Sequence, residues 1–494
     1  MKSDDPVFDG LNREQRDAVA APSDCHYLIL AGAGCGKTTV LTRRIACLAA
    51  GGIPLESILA LTFTRKAADE MAVRVAALAK TQETSPALPA ITTFHAFALK
   101  ILSETMGDGT ANFSRIGFSG VPRCCEEGER LRIFAGCSAP DERRVLGADV
   151  LRLDAMVERY HLFPEKTAEM PAEQAALLRT VSDRYAQCKR ERGVWDFSDL
   201  VDGAVTLFEQ YPSVADCYRR RFKAVLVDEF QDTNPLQVRF LHQLLSDGKY
   251  LFAVGDDDQA IYGFRGADIR PILEFQEHFP GARILKLQTN YRSMPALLAK
   301  ANRIFREKDL LYRKVLVSGR YPRGSGTPPV TRRFDNQEKM AAWIPEQARM
   351  CAERLKVPIP SMAVLFRTNQ SADRVAEYFR LTGAPDTHFP QLLTVHKSKG
   401  LEFPAVFLCD MEETVFPAYR KPSGKRIDSI FDLIRTIFSK VRHEDDPDLD
   451  EELRLFYVAV TRAQLHLYLL YSRTKRIYNR TRRFEPSRFL KYMR

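Results

Sequence analysis

The chain has 494 residues, 45% hydrophobic and 28% charged, a globular balance that excludes a disordered, collagenous or coiled-coil protein and is long enough for about three domains. The net charge of +10 permits a nucleic-acid partner without requiring one, and nine basic residues against the single acid Glu485 put +8 of it between Ser472 and Arg494. Ten cysteines are sparse; the only close pair, Cys124 and Cys125, can form neither an ordinary disulfide nor a zinc arm, and Cys124, Cys125, Cys137 and Cys188 match no familiar iron–sulfur spacing, so free thiols are expected. The amino terminus, MKSDDPVFDG, lacks the basic-then-apolar layout of a secretory signal, and no apolar run reaches membrane-spanning length. A soluble, cytoplasmic protein with no membrane partner is the expectation.

In chain order, LNREQRDAV from Leu11 precedes the first apolar run, HYLILAGAG from His26, which leads into the helical pattern TVLTRRIACLA. ILALTFT from Ile58, KAVLVDEF from Lys223 and KYLFAVGD from Lys249 are further apolar runs of this type, and AVLFRTN from Ala363 and AVFLCDM from Ala405 follow beyond a break near Pro280. Short apolar runs alternating with helical periodicity predict parallel strands buried on both faces. The expected fold class is therefore α/β, with two doubly wound sheet domains: 1–97 with 196–280, and 281–494. From Phe97 to Asp196 the strand pattern lapses, and QAALLRTVSDRYAQCKRER predicts an all-helical insertion over 98–195. RYPRGSGTPP, from Arg320 to Pro329, reads as a loop. HEDDPDLDEE, from His443 to Glu452, packs seven acids into ten residues and reads as a solvated loop entering a helix amino terminus.

Ala31 to Thr38 spell AGAGCGKT between the first strand and its helix. Gly32, Gly34 and Gly36, separated by the small Ala33 and Cys35, let backbone N–H groups turn onto phosphate oxygens at the positive end of a helix. Lys37 then falls on the β and γ phosphates, and Thr38, followed by Thr39 in the same turn, on Mg²⁺. AVLVDEFQD ends a strand in Asp228 and Glu229; at a strand end beside the P-loop strand, as expected here, the first carboxylate suits the magnesium shell and the second the attacking water. In VGDDDQAIYGFRGAD, from Val254, Gln259 offers an amide that senses a γ phosphate. Tyr262, Phe264 and Arg265 offer aromatic faces and a cation suited to single-stranded bases of any sequence.

These motifs resemble those of superfamily 1 helicases of the UvrD/Rep/PcrA type, and further motifs follow in the family's order to the carboxyl end. The resemblance implies two RecA-like P-loop NTPase domains, the first carrying the helical insertion, that work on ATP and Mg²⁺. It also assigns residues. Gln15 in LNREQRDAV would lie against adenine. Phe63 and Thr64 in LTFTRKAADEM, where Arg65 stands in place of the usual Asn, would contact DNA, as would His95 in TTFHAFALKIL, Asn369 closing AVLFRTN, and His396 in LLTVHKSKGLEF. WDFSDLV, from Trp195, matches the element that returns the chain from the insertion. LQTNYRS places Tyr291 to stack on the base and Arg292 to reach the γ phosphate, Glu402 would accept from the ribose, and FYVAVTRA supplies Arg462. Lys37, Arg292, Arg462 and Mg²⁺ would neutralise charge on the transferred phosphoryl group while Glu229 prepares the nucleophile. The tail segment PSRFLKY resembles the stretch closing the second motor, with Phe489 lining a base pocket and the basic residues upstream following phosphates.

In the family a large accessory insertion lies between the AVLFRTN and TVHKSKGLE motifs; here only 24 positions separate Asn369 from Leu393. The expected activity is an ATP-dependent 3′-to-5′ translocase and helicase acting on single-stranded DNA and ss/dsDNA junctions in repair, replication or recombination. The absent insertion, near 370–392, leaves a second expectation open: a DNA-stimulated ATPase switch regulating a partner nuclease, repair or defence complex that replaces the missing domain.

Overall fold

The computed structural model describes residues 6–80, 88–118, 122–163, 168, 170–245, 249–263, 266–308, 310–383, 385–418, 447–477 and 480–494. β1 (Tyr27–Ala31) and β2 (Ile58–Thr62) are buried at every position, as a sheet covered on both faces requires, and β3 (Ala90–Thr93) is the partly exposed edge. The chain then leaves the sheet. Helices Glu127–Cys137, Val150–Leu162 and Ala172–Glu191 enclose their own apolar core, in which the rings of Phe134 and Tyr185 stack with centroids 3.8 Å apart.

This insertion is not wholly helical. β4 (Arg123–Cys124) pairs in parallel with β5 (Val194–Trp195) where the chain departs and returns. Its expected start also falls inside helix Phe94–Ser103, whose Phe97 and Ile101 belong to the same core as Phe208 and Phe240 of the first sheet domain. At the return point Asp196 caps helix Phe197–Gln210, and the buried Lys189 ammonium reaches Asp196 at 2.8 Å and Asp199 at 2.6 Å.

β6 (Ala224–Val227), β7 (Tyr250–Gly255) and β8 (Arg283–Leu287) complete a six-stranded parallel sheet of order β3-β2-β6-β7-β1-β8. Two details differ from the sequence reading. The strand carrying Asp228 lies one strand removed from β1, with β7 between them. β8, read as part of a second domain starting at 281, pairs with β1 over its whole length; RILKL specifies a strand but not which open sheet edge receives it.

β9 (Thr289–Asn290) and β10 (Val317–Ser318) form a small parallel pair between the two sheets. The second sheet contains β11 (Val330–Asn336), β12 (Ala363–Phe366), β13 (Gln391–Thr394), β14 (Phe403–Leu408) and β15 (Ala463–Ile477), parallel in the order β11-β15-β14-β12-β13, and β16 (Arg480–Arg483) runs antiparallel to the end of β15. Helix Asn369–Leu381 reaches β13 without an intervening domain.

The acidic run is not a solvated face where it is described. Within helix Pro447–Val460, Asp450 pairs with Lys308 at 2.8 Å, Glu451 accepts from the Gly263 N–H at 3.1 Å, and Glu452 takes the Arg367 guanidinium; residues 443–446 lie outside the described residues. Lys475, counted with the phosphate-following tail, is buried between Asp410 and Glu412, 2.7 Å from each, while Arg482 and Arg483 are exposed. Among the described residues no helix is long and apolar enough to cross a membrane.

Candidate functional site

The glycine loop leaves β1 at its carboxyl end and turns through Gly34 (φ +69°) and Gly36 (φ +84°), left-handed positions that suit glycine. Its carbonyls are held from outside the loop. Asn290 Nδ2 donates to Ala33 O at 2.6 Å, the Tyr291 N–H to Gly34 O at 3.0 Å, and Gln15 Nε2 to Cys35 O at 3.0 Å. With these carbonyls turned outward, helix Lys37–Ala50 starts with no side-chain cap, so its first N–H groups are available to an anion. A Cβ on Gly34 would sit 2.8 Å from Arg292 Cβ, and one on Gly36 2.7 Å from Gln15 Nε2. Gln15 and Arg292 therefore line the same loop although they are far apart in sequence. Tyr291 is close by, its hydroxyl accepting from Asn12 Nδ2 at 2.8 Å.

Asp228 and Glu229 follow β6 at the same sheet edge, with Glu229 in a left-handed conformation (φ +50°) that is strained for a residue with a side chain. Gln231 Nε2 donates to Glu229 Oε2 at 2.5 Å, and its Oε1 accepts the Asp256 N–H at 2.9 Å, tying the acid pair to the end of β7. Burial, and then the charge of Glu229 beside it, push the Asp228 carboxyl up. Burial opposes ionisation of Glu229 as well, yet the cations Lys37, Lys399 and Arg462 and the Gln231 amide outweigh it and hold Glu229 low. Thr38 and Thr39 follow Lys37, whose charge acts on both acids, in the first turn of the helix.

The second sheet domain completes the crevice. Arg462, at 1% exposure, donates through Nε to Val458 O at 3.0 Å, through Nη1 to Leu401 O at 3.0 Å and through Nη2 to Gln259 Oε1 at 3.1 Å. Among the described residues no carboxylate pairs with it. Burial and the neighbouring Arg292 both weigh against its charge. Arg292 donates from Nε to Glu402 Oε2 at 2.5 Å and from Nη1 to Thr461 O at 3.1 Å. Glu402, expected to accept from a ribose, has both oxygens engaged here, the second by Gln464 at 2.9 Å.

Of the remaining expected residues, Phe63, Thr64, His95, Tyr262, Asn369 and His396 follow the carboxyl ends of strands. Phe63 stacks on Tyr262 with centroids 5.2 Å apart, and the His396 ring is 6.4 Å from Tyr262. Thr64 is exposed but its hydroxyl accepts the Ala67 N–H, a capping role. His95 meets the edge of Phe197 at 5.9 Å, and Asn369 is exposed at the start of its helix. Phe264 and Arg265 lie outside the described residues. Phe489 is a correction: at 2% exposure it is enclosed by Phe416, Phe456 and Tyr492 and offers no face to a base. Phe489→Ala should cost about 3–5 kcal/mol of stability in thermal or urea unfolding while single-strand affinity per folded molecule is unchanged.

Several residues escaped the sequence reading. Lys399 donates to both oxygens of Asp232 at 2.8 and 2.6 Å and to Gln259 O at 2.9 Å, with its Nζ 4.8 Å from the Tyr262 centroid. Asn290 and Gln231 hold the loop and the acid pair, and Phe197 is a 62% exposed aromatic beside His95. Phe197 could have been found as an aromatic at the first position of a helix opened by WDFSD; the others are polar residues whose partners are distant in sequence.

A model of the UvrD/REP helicase N-terminal domain matches residues 11–280, and one of the UvrD-like helicase C-terminal domain matches 285–390 and 386–474. The ATP-dependent DNA helicase UvrD1 of Mycobacterium tuberculosis is 35% identical over 393 residues, 77% of this chain and 50% of its own. UvrD2 of the same organism is 33% identical over 394 residues, 77% and 55% of the two chains. A probable DNA helicase of Mycoplasma pneumoniae is 32% identical over 489 residues, 97% of this chain and 86% of its own. The chain thus spans about half the length of its mycobacterial relatives.

Proposed function

Because the chain belongs to the UvrD/REP helicase family, we propose that it is an ATP-driven motor that moves 3′ to 5′ along single-stranded DNA and opens duplex at ss/dsDNA junctions, acting in the cytoplasm in repair, replication or recombination. The observation that carries this reading is Arg462: a buried guanidinium bound, among the described residues, only to neutral oxygens, beside a glycine loop whose N–H groups are available to an anion. A phosphate would supply the missing negative charge.

The loop Ala31–Thr39 would cradle the triphosphate, with Lys37 on its terminal oxygens and Gln15 and Tyr291 at the base. Thr38 and Asp228 fit a Mg²⁺ shell, hydroxyl and carboxylate being the oxygen donors that ion prefers, and the ion would shield phosphate charge. Glu229, held ionised by the surrounding cations, would accept the proton of the attacking water. Gln259, Arg292 and Arg462 would reach the leaving phosphate from both sheets, so that hydrolysis changes the contacts holding the two domains together. Phe63, Tyr262 and His396, with Thr64, His95 and Asn369 beyond them, would form the track for bases, with Lys399 joining that track to Asp232 and Gln259. Tyr262→Ala should weaken binding of an oligothymidylate by about 1–3 kcal/mol, read by fluorescence anisotropy.

The test is ATP turnover with and without single-stranded DNA, together with strand displacement on a 3′-tailed duplex. Turnover indifferent to DNA would refute the motor. The direct passage from helix Asn369–Leu381 to β13 favours a second reading, an ATPase switch working with a partner protein. Stimulated turnover without displaced strand would select it.

A further inference from the structure

Lys314 is a buried ammonium that the site described so far does not use. Its side chain is 1% exposed; Nζ donates to Asp257 Oδ1 and lies 3.1 Å from Asp258 Oδ2 and 3.1 Å from Asp256 Oδ1, the last an ion pair without hydrogen-bond geometry that is, among the described residues, the contact holding this otherwise unpartnered oxygen. One cation thus serves three consecutive buried carboxylates. It arrives on the segment between helix Pro295–Ile304 and β10, which is fastened over the glycine loop. Asn302 bonds both the N–H and the C=O of Leu316 at 2.9 Å, Gln288 Oε1 accepts the Val315 N–H at 2.9 Å, and Leu316 Cδ2 lies 2.3 Å from where a Gly32 Cβ would be.

The other oxygen of Asp256 leads to the nucleotide crevice. Asp256 Oδ2 accepts from Gln259 Nε2 at 2.5 Å, which leaves Gln259 Oε1 facing Arg462 Nη2 at 3.1 Å. An amide has a donor end and an acceptor end, so a fixed carboxylate on one side decides which end meets the guanidinium on the other. If Asp256 swings away, the amide can reverse and present N–H groups to a cation that can only donate. Arg462 Nη2 would then lose the shorter of its two contacts and keep the one to Thr461 Oγ1 at 3.3 Å, on its own domain.

We propose that Lys314 is a positioning residue for ATP turnover: by anchoring the Asp256 carboxylate, it sets the orientation of the Gln259 amide and through it the Arg462 guanidinium. This rests on the nucleotide-site reading above. Lys314→Met in the full chain is expected to lose about 10- to 100-fold in DNA-stimulated turnover at saturating ATP, with KM for ATP within about twofold, because Lys37 and the loop are untouched. Since that variant leaves three buried carboxylates unmatched, the same substitution is also made in an Asp257→Asn/Asp258→Asn background, where only Asp256 needs the cation. The same loss is expected there. Adding Asp256→Asn, which keeps an acceptor for the Gln259 amide and removes the charge, is expected to recover at least about fivefold of the turnover.

A merely structural lysine would lower Tm and leave turnover per folded molecule unchanged. That result, or no recovery with Asp256→Asn, overturns the proposal. Lys37→Ala is assayed in parallel. Normal hydrolysis by Lys37→Ala would sink the nucleotide-site reading itself, whereas a dead Lys37→Ala beside a fully active Lys314→Met would remove only the role given to Lys314.

Discussion

Alanine at position 37 should reduce DNA-stimulated ATP hydrolysis by about 10³-fold or more, with the circular dichroism spectrum and Tm unchanged. The effect is large because Lys37 is the cation at the helix start, where the loop's N–H groups and the γ phosphate would converge, and because it helps hold Glu229 ionised. The fold is expected to survive because the loop's shape does not depend on this side chain: Asn290, Tyr291 and Gln15 hold its carbonyls. Turnover at the wild-type rate would show that the triphosphate does not sit in this loop.

Arg462→Ala should cost about 10³- to 10⁵-fold in turnover, the range of arginine fingers in related phosphoryl transfer, with a smaller change in ATP affinity. Its guanidinium spans Val458, Leu401 and Gln259, a planar fork that an ammonium cannot match, so Arg462→Lys should rescue little. Arg292→Ala should fall in the same direction and also release Glu402 from its pairing. Single-turnover ATP hydrolysis beside equilibrium binding of a nonhydrolysable nucleotide separates chemistry from binding. If the alanine variant lost affinity and turnover equally, Arg462 would be a binding residue only.

Much of this was legible in the residues. AGAGCGKT after an apolar run and before a helical one specifies a glycine turn between a strand and a helix, and β1 and the helix from Lys37 occupy those places. β1, β2, β6, β7, β12 and β14 could be read because each is a short apolar run, whereas β11 (VTRRFDN) and β16 (RTRR) carry no such run and β15 extends over 15 residues, so their place in the second sheet could not. The absent accessory insertion was readable because it is a matter of chain length. Phe489 was misjudged for a physical reason: an aromatic near basic residues looks the same in sequence whether its ring is open to a base or enclosed by Phe416 and Phe456. Lys475 likewise resembles its solvated neighbours until β15 carries it between Asp410 and Glu412.

By itself the sequence determined which elements form, their order, and the chemical types available at each strand end, since periodicity, glycine spacing and helix starts act over a few residues. Only the tertiary structure decided which of those groups meet. Asn290 reaches Ala33 across 257 positions, Arg462 reaches Gln259 across 203, and Lys399 reaches Asp232 across 167. Those distances close because two parallel sheets present their carboxyl edges to one crevice, and nothing in a local stretch encodes which side chain will stand opposite it.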